Sequence, residues 1–214
     1  MPLREIREVY PHVYLGLWEI TESLAELSQS LKTLTKNINL PIPIFTSTAR
    51  QRQWLGSRVL AYALLQKLSP EPVLLQNNNS GKPEFQNSSY RVSISHSHHL
   101  AAVILSQNYE VGIDIEIISP KVMRVRNKFM TEAEKNNAAE DVEKALIYWS
   151  GKETLYKLYS QKQLIFKENL FISPFNKLPA GTTGAQIVTS DFNKRYTLHY
   201  EILNQHILTY TLDF

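Results

Sequence analysis

Nine consecutive residues, Tyr109-Glu110-Val111-Gly112-Ile113-Asp114-Ile115-Glu116-Ile117, alternate apolar and non-apolar at every step. A period of two marks a strand, because successive side chains leave opposite faces of the pleat. Val111, Ile113, Ile115 and Ile117 therefore share one face, and Gly112, Asp114 and Glu116 the other. The aliphatic face requires a covering layer, which commits the chain to a packed sheet. The other face carries two carboxylates at i and i+2, roughly 6–7 Å apart at the backbone. Their oxygens can converge on one hard cation such as Mg2+. On this segment alone, a solvated acidic sheet face is the simpler account.

The rest of the chain supplies both strands and helices. Val13, Leu15 and Leu17 alternate in a strand over His12–Ile20. Thr21 is placed to cap a helix with Leu24, Leu27, Leu31 and Leu34 at helical spacing. After the connector Leu40-Pro41-Ile42-Pro43, a long helix is expected over Thr46–Leu68, stopped by Ser69-Pro70. The polar stretch Asn77–Pro83 reads as a surface loop. Strands are expected at Tyr90–Ser95, Leu100–Ser106 and Tyr109–Ile117, helices over Thr131–Ser160, and a terminal hairpin from Tyr196–Ile202 and Leu208–Phe214. Strands and helices do not alternate strictly, so the pattern predicts an α+β fold rather than a parallel α/β sheet.

Composition narrows the function classes. With 43% apolar residues in 214, the chain has enough to bury a core. Its 23 Lys and Arg against 20 Asp and Glu give a net charge of +3, too weak for a general nucleic-acid binder but compatible with an anionic ligand. The absence of cysteine excludes disulfides, thiolate zinc sites and a cysteine nucleophile. Met1–Glu8 has no apolar run of the secretory kind, and the longest apolar run, Leu100–Leu105, is far short of the ~20 residues of a membrane helix. A cytoplasmic protein with no membrane partner is expected.

A second acidic element lies in Asp141–Ser160. A helical projection puts Val142, Leu146, Trp149 and Tyr156 on one stripe, and Glu153 falls within about 20° of Val142, inside that stripe. Lys157 follows one turn later. An i,i+4 Glu–Lys pair is ordinary on a helix surface. One that interrupts an apolar stripe needs a cation or a metal for its carboxylate. Both readings fit.

The basic groups are scattered. Ser80-Gly81-Lys82-Pro83 places one cation in a turn suited to a phosphate, and Ser93-Ile94-Ser95-His96-Ser97-His98-His99 puts hydroxyls and imidazoles where a strand ends. Without cysteine the histidines make a poor zinc pattern. Arg50, Arg52 and Arg58 share one expected helix but not one face, although each is capable of clamping a phosphate bidentately.

Taken in order, Gly81-Lys82-Pro83, Ser93-Ile94-Ser95-His96-Ser97, Gly112-Ile113-Asp114-Ile115-Glu116, Phe129–Glu134 and Trp149-Ser150-Gly151-Lys152-Glu153-Thr154-Leu155-Tyr156-Lys157 resemble the 4′-phosphopantetheinyl transferase superfamily, the surfactin-synthetase-activating type in particular. The motifs span about Arg50 to Lys162. The resemblance implies two similar α+β halves, divided here as 1–107 and 108–214, with the active site between them. It implies transfer of 4′-phosphopantetheine from coenzyme A to a serine of an apo acyl or peptidyl carrier protein, in the manner of a holo-[acyl-carrier-protein] synthase. Two halves in one chain would make a monomer sufficient.

By motif position, Asp114, Glu116 and Glu153 resemble Mg2+ ligands and Lys157 a pyrophosphate contact. Arg52, Lys82, Pro83, Ser95 and His96 resemble coenzyme A contacts, with Arg50 an alternative to Arg52. Glu134 resembles an acidic position that helps remove a proton, and Glu153 is the first choice for the base. Thr154, usually Ala or Ser in the family, and Gln163, where glycine is common, depart from the pattern. A non-catalytic relative that binds coenzyme A or a carrier is the alternative expectation, and a nucleic-acid module a third.

Overall fold

A computed structural model describes residues 3–36, 38–161 and 164–214. The chain divides into two compact units, Met1–Val111 and Gly112–Phe214. The first contains β1 (Leu3–Tyr10), β2 (Val13–Glu19), α1 (Leu24–Leu34), α2 (Thr48–Leu65), β3 (Leu75–Asn77), β4 (Pro83–Phe85), β5 (Arg91–Ser97) and β6 (Leu100–Ser106). β7 (Glu110–Ile117) begins in the first unit and runs into the second. The second unit continues with α3 (Lys121–Phe129), α4 (Glu132–Ala138), α5 (Val142–Tyr159), α6 (Phe166–Asn169), β8 (Leu170–Ile172), β9 (Ala180–Val188), β10 (Asn193–Leu203) and β11 (His206–Asp213).

In the first unit an antiparallel sheet has the order β1-β2-β6-β5. All seven residues of β6 are buried, as its unbroken apolar run requires of a central strand. The 18-residue α2 lies against β6 and β2, and its Leu55, Val59, Leu60 and Leu64 are at most 1% exposed. Each such side chain contributes about 1.5–3 kcal/mol on burial. The helix before it starts later than Thr21 suggests. Ser23 is the cap, because Glu26 returns a carboxylate to its backbone N–H and closes a capping box. The helix expected over Thr46–Leu68 is Thr48–Leu65, capped by Ser47, whose side chain accepts from the Arg50 N–H. The loop expected over Asn77–Pro83 closes a small hairpin, β3 against β4.

In the second unit the sheet order is β7-β11-β10-β9-β8. The expected terminal hairpin is present: β10 and β11 pair from Leu203↔His206 to His199↔Tyr210 around a left-handed Asn204. The 18-residue α5 packs on β11 and β8. Of the stripe in the projection only Leu146 is deep. Ile147, Gly151, Thr154, Leu155 and Leu158 are buried, whereas Val142, Trp149 and Tyr156 are half-buried. Among the described residues no helix is long and apolar enough to cross a membrane.

Candidate active site

β7 and α5 bring four sequence-selected side chains together. Asp114 is 3% exposed, and Lys157 Nζ donates to its Oδ1 at 2.8 Å and to the Ile113 carbonyl at 3.1 Å. Glu116, two residues along the strand, accepts a hydrogen bond from the Trp149 indole N–H at 2.9 Å. Glu153 is half-buried one turn before Lys157. Burial pushes the Glu153 carboxyl up to about 7, with Asp114 and Glu116 adding to the rise and Lys157 opposing it. Burial and Asp114 also raise Glu116, against the pull of Trp149 and Lys157. β7 reaches this helix closely at Gly112, beside the Thr154 backbone.

Three mutually repelling carboxylates facing an ammonium form an all-oxygen donor set of the kind that suits a hard divalent cation. Among the described residues, the side-chain geometry brings no three His, Asp or Glu into an arrangement that could hold a metal ion. The set fits Mg2+ by its charge and donor chemistry, with Lys157 lying on Asp114.

Glu134 stands apart from this group in its task. It is 2% exposed, and both carboxylate oxygens are engaged: Oε2 by the Thr131 N–H at 2.8 Å and Lys152 Nζ at 2.8 Å, Oε1 by the Ile172 N–H at 3.0 Å. The spacing Thr131-x-x-Glu134 is a capping box, so the signal for a structural task lay in the sequence. Thr154 is fully buried with its hydroxyl on Thr209, 2.6 Å away, which places that departure from the family pattern in the core. Gln163 lies outside the described residues.

The first unit holds the basic candidates. Lys82 sits in a turn organised by Asn78, whose Oδ1 accepts from the N–H groups of Ser80 and Lys82 while Gly81 adopts φ +90°. Lys82 Nζ is paired with Glu110 at 3.0 Å, and Arg91 contacts the same carboxylate at 2.6 Å. Pro83 begins β4. Ser95 and His96 lie on β5, the serine buried and the histidine exposed. Arg52 donates to the Ile20 carbonyl at 3.1 Å, and its Nε is buried without a hydrogen bond; Arg50 is exposed.

Arg58 gains weight from its surroundings. It is 8% exposed, its guanidinium contacts Ser57 and Asn77, and it lies 4.5 Å over the Trp54 ring. Among the described residues no carboxylate pairs with it. Burial lowers it to about 10, which leaves it charged. Two groups that sequence reasoning missed are Trp149, which donates to Glu116, and Lys152, which holds Glu134.

Residues 110–211 match the model for the 4′-phosphopantetheinyl transferase superfamily, and residues 46–106 match the model for the 4′-phosphopantetheinyl transferase N-terminal domain. The chain belongs to the 4′-phosphopantetheinyl transferase superfamily. It is also 40% identical over 73 residues to the 4′-phosphopantetheinyl transferases AcpT of Salmonella typhi and of Salmonella typhimurium strain LT2. That stretch covers 34% of this chain and 36% of each relative, so the alignment spans about a third of their length. The acidic group and Lys157 fall in the part matched to the superfamily model. Arg52, Arg58, Lys82, Ser95 and His96 fall in the part matched to the N-terminal domain of such transferases.

Proposed function

We propose that this superfamily member transfers 4′-phosphopantetheine from coenzyme A to a serine hydroxyl of an apo acyl or peptidyl carrier protein. The observation that carries the reading is the group Asp114, Glu116, Glu153 and Lys157 on β7 and α5, with the Lys157 ammonium 2.8 Å from Asp114. The serine Oγ bonds to the β-phosphorus of coenzyme A. The bond from that phosphorus to the bridging oxygen breaks, and adenosine 3′,5′-bisphosphate leaves with the bridging oxygen. The serine proton passes to Glu153, directly or through a water.

Asp114, Glu116 and Glu153 are the residues that would hold Mg2+, and the ion would neutralise the diphosphate charge. Lys157 supplies a further cation for the charge that develops on the 5′-phosphate of the leaving adenosine 3′,5′-bisphosphate. Arg52, Lys82, Ser95 and His96 are proposed coenzyme A contacts, with Pro83 fixing the end of the Lys82 turn. Arg58 is a second phosphate clamp, since a buried guanidinium without a carboxylate favours an incoming anion. The surfactin-synthetase-activating type and a monomeric state complete the reading.

Incubation with coenzyme A, Mg2+ and a panel of apo carriers should add the phosphopantetheine mass to the carrier and release the bisphosphate. Failure across the panel, with coenzyme A binding intact, would instead identify a non-catalytic relative.

A further inference from the structure

The deepest charged pair in the second unit lies one residue from Glu153. Lys152 has no exposed side-chain surface, and its ammonium donates to Glu134 Oε2 at 2.8 Å, to the Phe129 carbonyl at 2.6 Å and to the Phe166 carbonyl at 3.2 Å. Three protons meet three acceptors. Glu134 in turn accepts from Lys152 and from the backbone N–H groups of Thr131 and Ile172. The end of α3, the start of α4, the middle of α5, the start of α6 and β8 are thereby joined through two side chains.

The same residues grip the neighbouring turn. The Phe129 and Phe166 rings lie 5.1 Å and 5.5 Å from the Trp149 ring, whose N–H holds Glu116. Lys152 therefore fixes the rotation and height of α5 at the point where Glu153 and Lys157 emerge toward β7. A carboxylate 2% exposed that already accepts three hydrogen bonds is closed off from a substrate proton, and its ammonium partner has no donor left for a phosphate.

We infer that Lys152 and Glu134 form a buried positioning pair that sets the place of Glu153 against Asp114 and Glu116, and take no part in proton transfer. The inference rests on the transferase reading for its kinetic readout but not for its metal-binding readout. Pairs of this kind contribute little net stability, yet removal of one partner strands a buried charge. The loss of stability from a single substitution should then be relieved by the second.

The test uses the full chain as Glu134→Gln, Lys152→Met and the double variant. Mg2+ binding is measured by calorimetry, and transfer rate is measured against pH. Lys152→Met should weaken Mg2+ binding about 10- to 100-fold, in the range of lost outer-shell support. The double variant should regain stability but not Mg2+ affinity, since none of the Lys152 contacts is restored, and Glu134→Gln should keep the wild-type pH profile. Wild-type Mg2+ affinity in a folded Lys152→Met protein would overturn the positioning role, as would loss of one limb of the pH profile in Glu134→Gln. If Lys152→Met fails to fold by circular dichroism, Lys152→Arg carries the comparison, because it keeps the charge and alters the donor geometry. Absence of transfer in the wild type would count against the transferase reading alone, leaving the Mg2+ arms to decide on the pair.

Discussion

The backbone of Gly112 lies so close to the carbonyl oxygen of Thr154 that a methyl group on the glycine would overlap it, while also standing 3.2 Å from the Cβ of Leu158. Glycine at this position lets β7 approach α5 without a side chain between them, two residues before Asp114 on the same strand face. Gly112→Ala should therefore lower stability by about 1–3 kcal/mol, the usual range for overpacking a close contact. It should also slow transfer by moving Asp114 away from Glu153. Denaturant titration and initial rates read the two effects. An alanine variant with unchanged stability and rate would remove the contact as a determinant of the site.

Trp149 touches the site through its indole N–H, 2.9 Å from Glu116, and touches the core through its ring against Phe129 and Phe166. Phenylalanine keeps the ring and deletes the donor. Trp149→Phe should raise the Mg2+ concentration needed for half-maximal transfer about tenfold, the lower end of the range for outer-shell partners. The maximal rate at saturating Mg2+ should change little. An unchanged Mg2+ requirement would mean that Glu116 is aimed by other contacts.

Glu153 gives the site a pH signature. Its folded pKa of about 7 lies above the ordinary 4.5, so between these values the folded state holds a proton that the unfolded state has lost. Stability from this group is then present below about 4.5 and is lost as pH rises toward 7. Metal-free protein should lose thermal stability across that window. Glu153→Gln, or Mg2+ bound to the wild type, should flatten the dependence. Parallel melting curves for wild type and Glu153→Gln over the window would sink the assignment.

The sequence exposes features whose cause is local. The alternation of β7 is legible because a period of two is set by the backbone, and Glu153 stands out because a carboxylate interrupts an apolar stripe. β1 escapes the same reading. Arg4, Glu5, Arg7 and Glu8 leave it with no clean alternation, and register shifts break its pairing with β2. Trp149 reads as apolar in any projection, because the direction of its N–H depends on the strand that packs beside it. Lys152 carries no signal of burial in the sequence, because the Phe129 and Phe166 carbonyls that receive it come from segments 23 and 14 residues away. Capping signals are present in Ser23-x-x-Glu26 and Thr131-x-x-Glu134, and only the second involves a candidate site residue, since it ties the Glu134 carboxylate to the backbone of α4.

Glu110 holds Lys82 at 3.0 Å in the turn proposed to meet coenzyme A, and shares its carboxylate with Arg91. A polyanionic ligand approaching Lys82 has to compete with that carboxylate and to enter its negative field. Glu110→Gln should accordingly tighten coenzyme A binding. The glutamate side chain is 43% exposed, so the effect is that of a partly solvated pair, worth up to about 1 kcal/mol or roughly fivefold in affinity. Added salt should shrink the difference between wild type and variant, because screening weakens Glu110 most where it faces water. Fluorescence or calorimetric titration with coenzyme A at low and high ionic strength measures both effects. Weaker binding by Glu110→Gln would reverse the interpretation, making the carboxylate a support that aims Lys82 rather than a competitor for it.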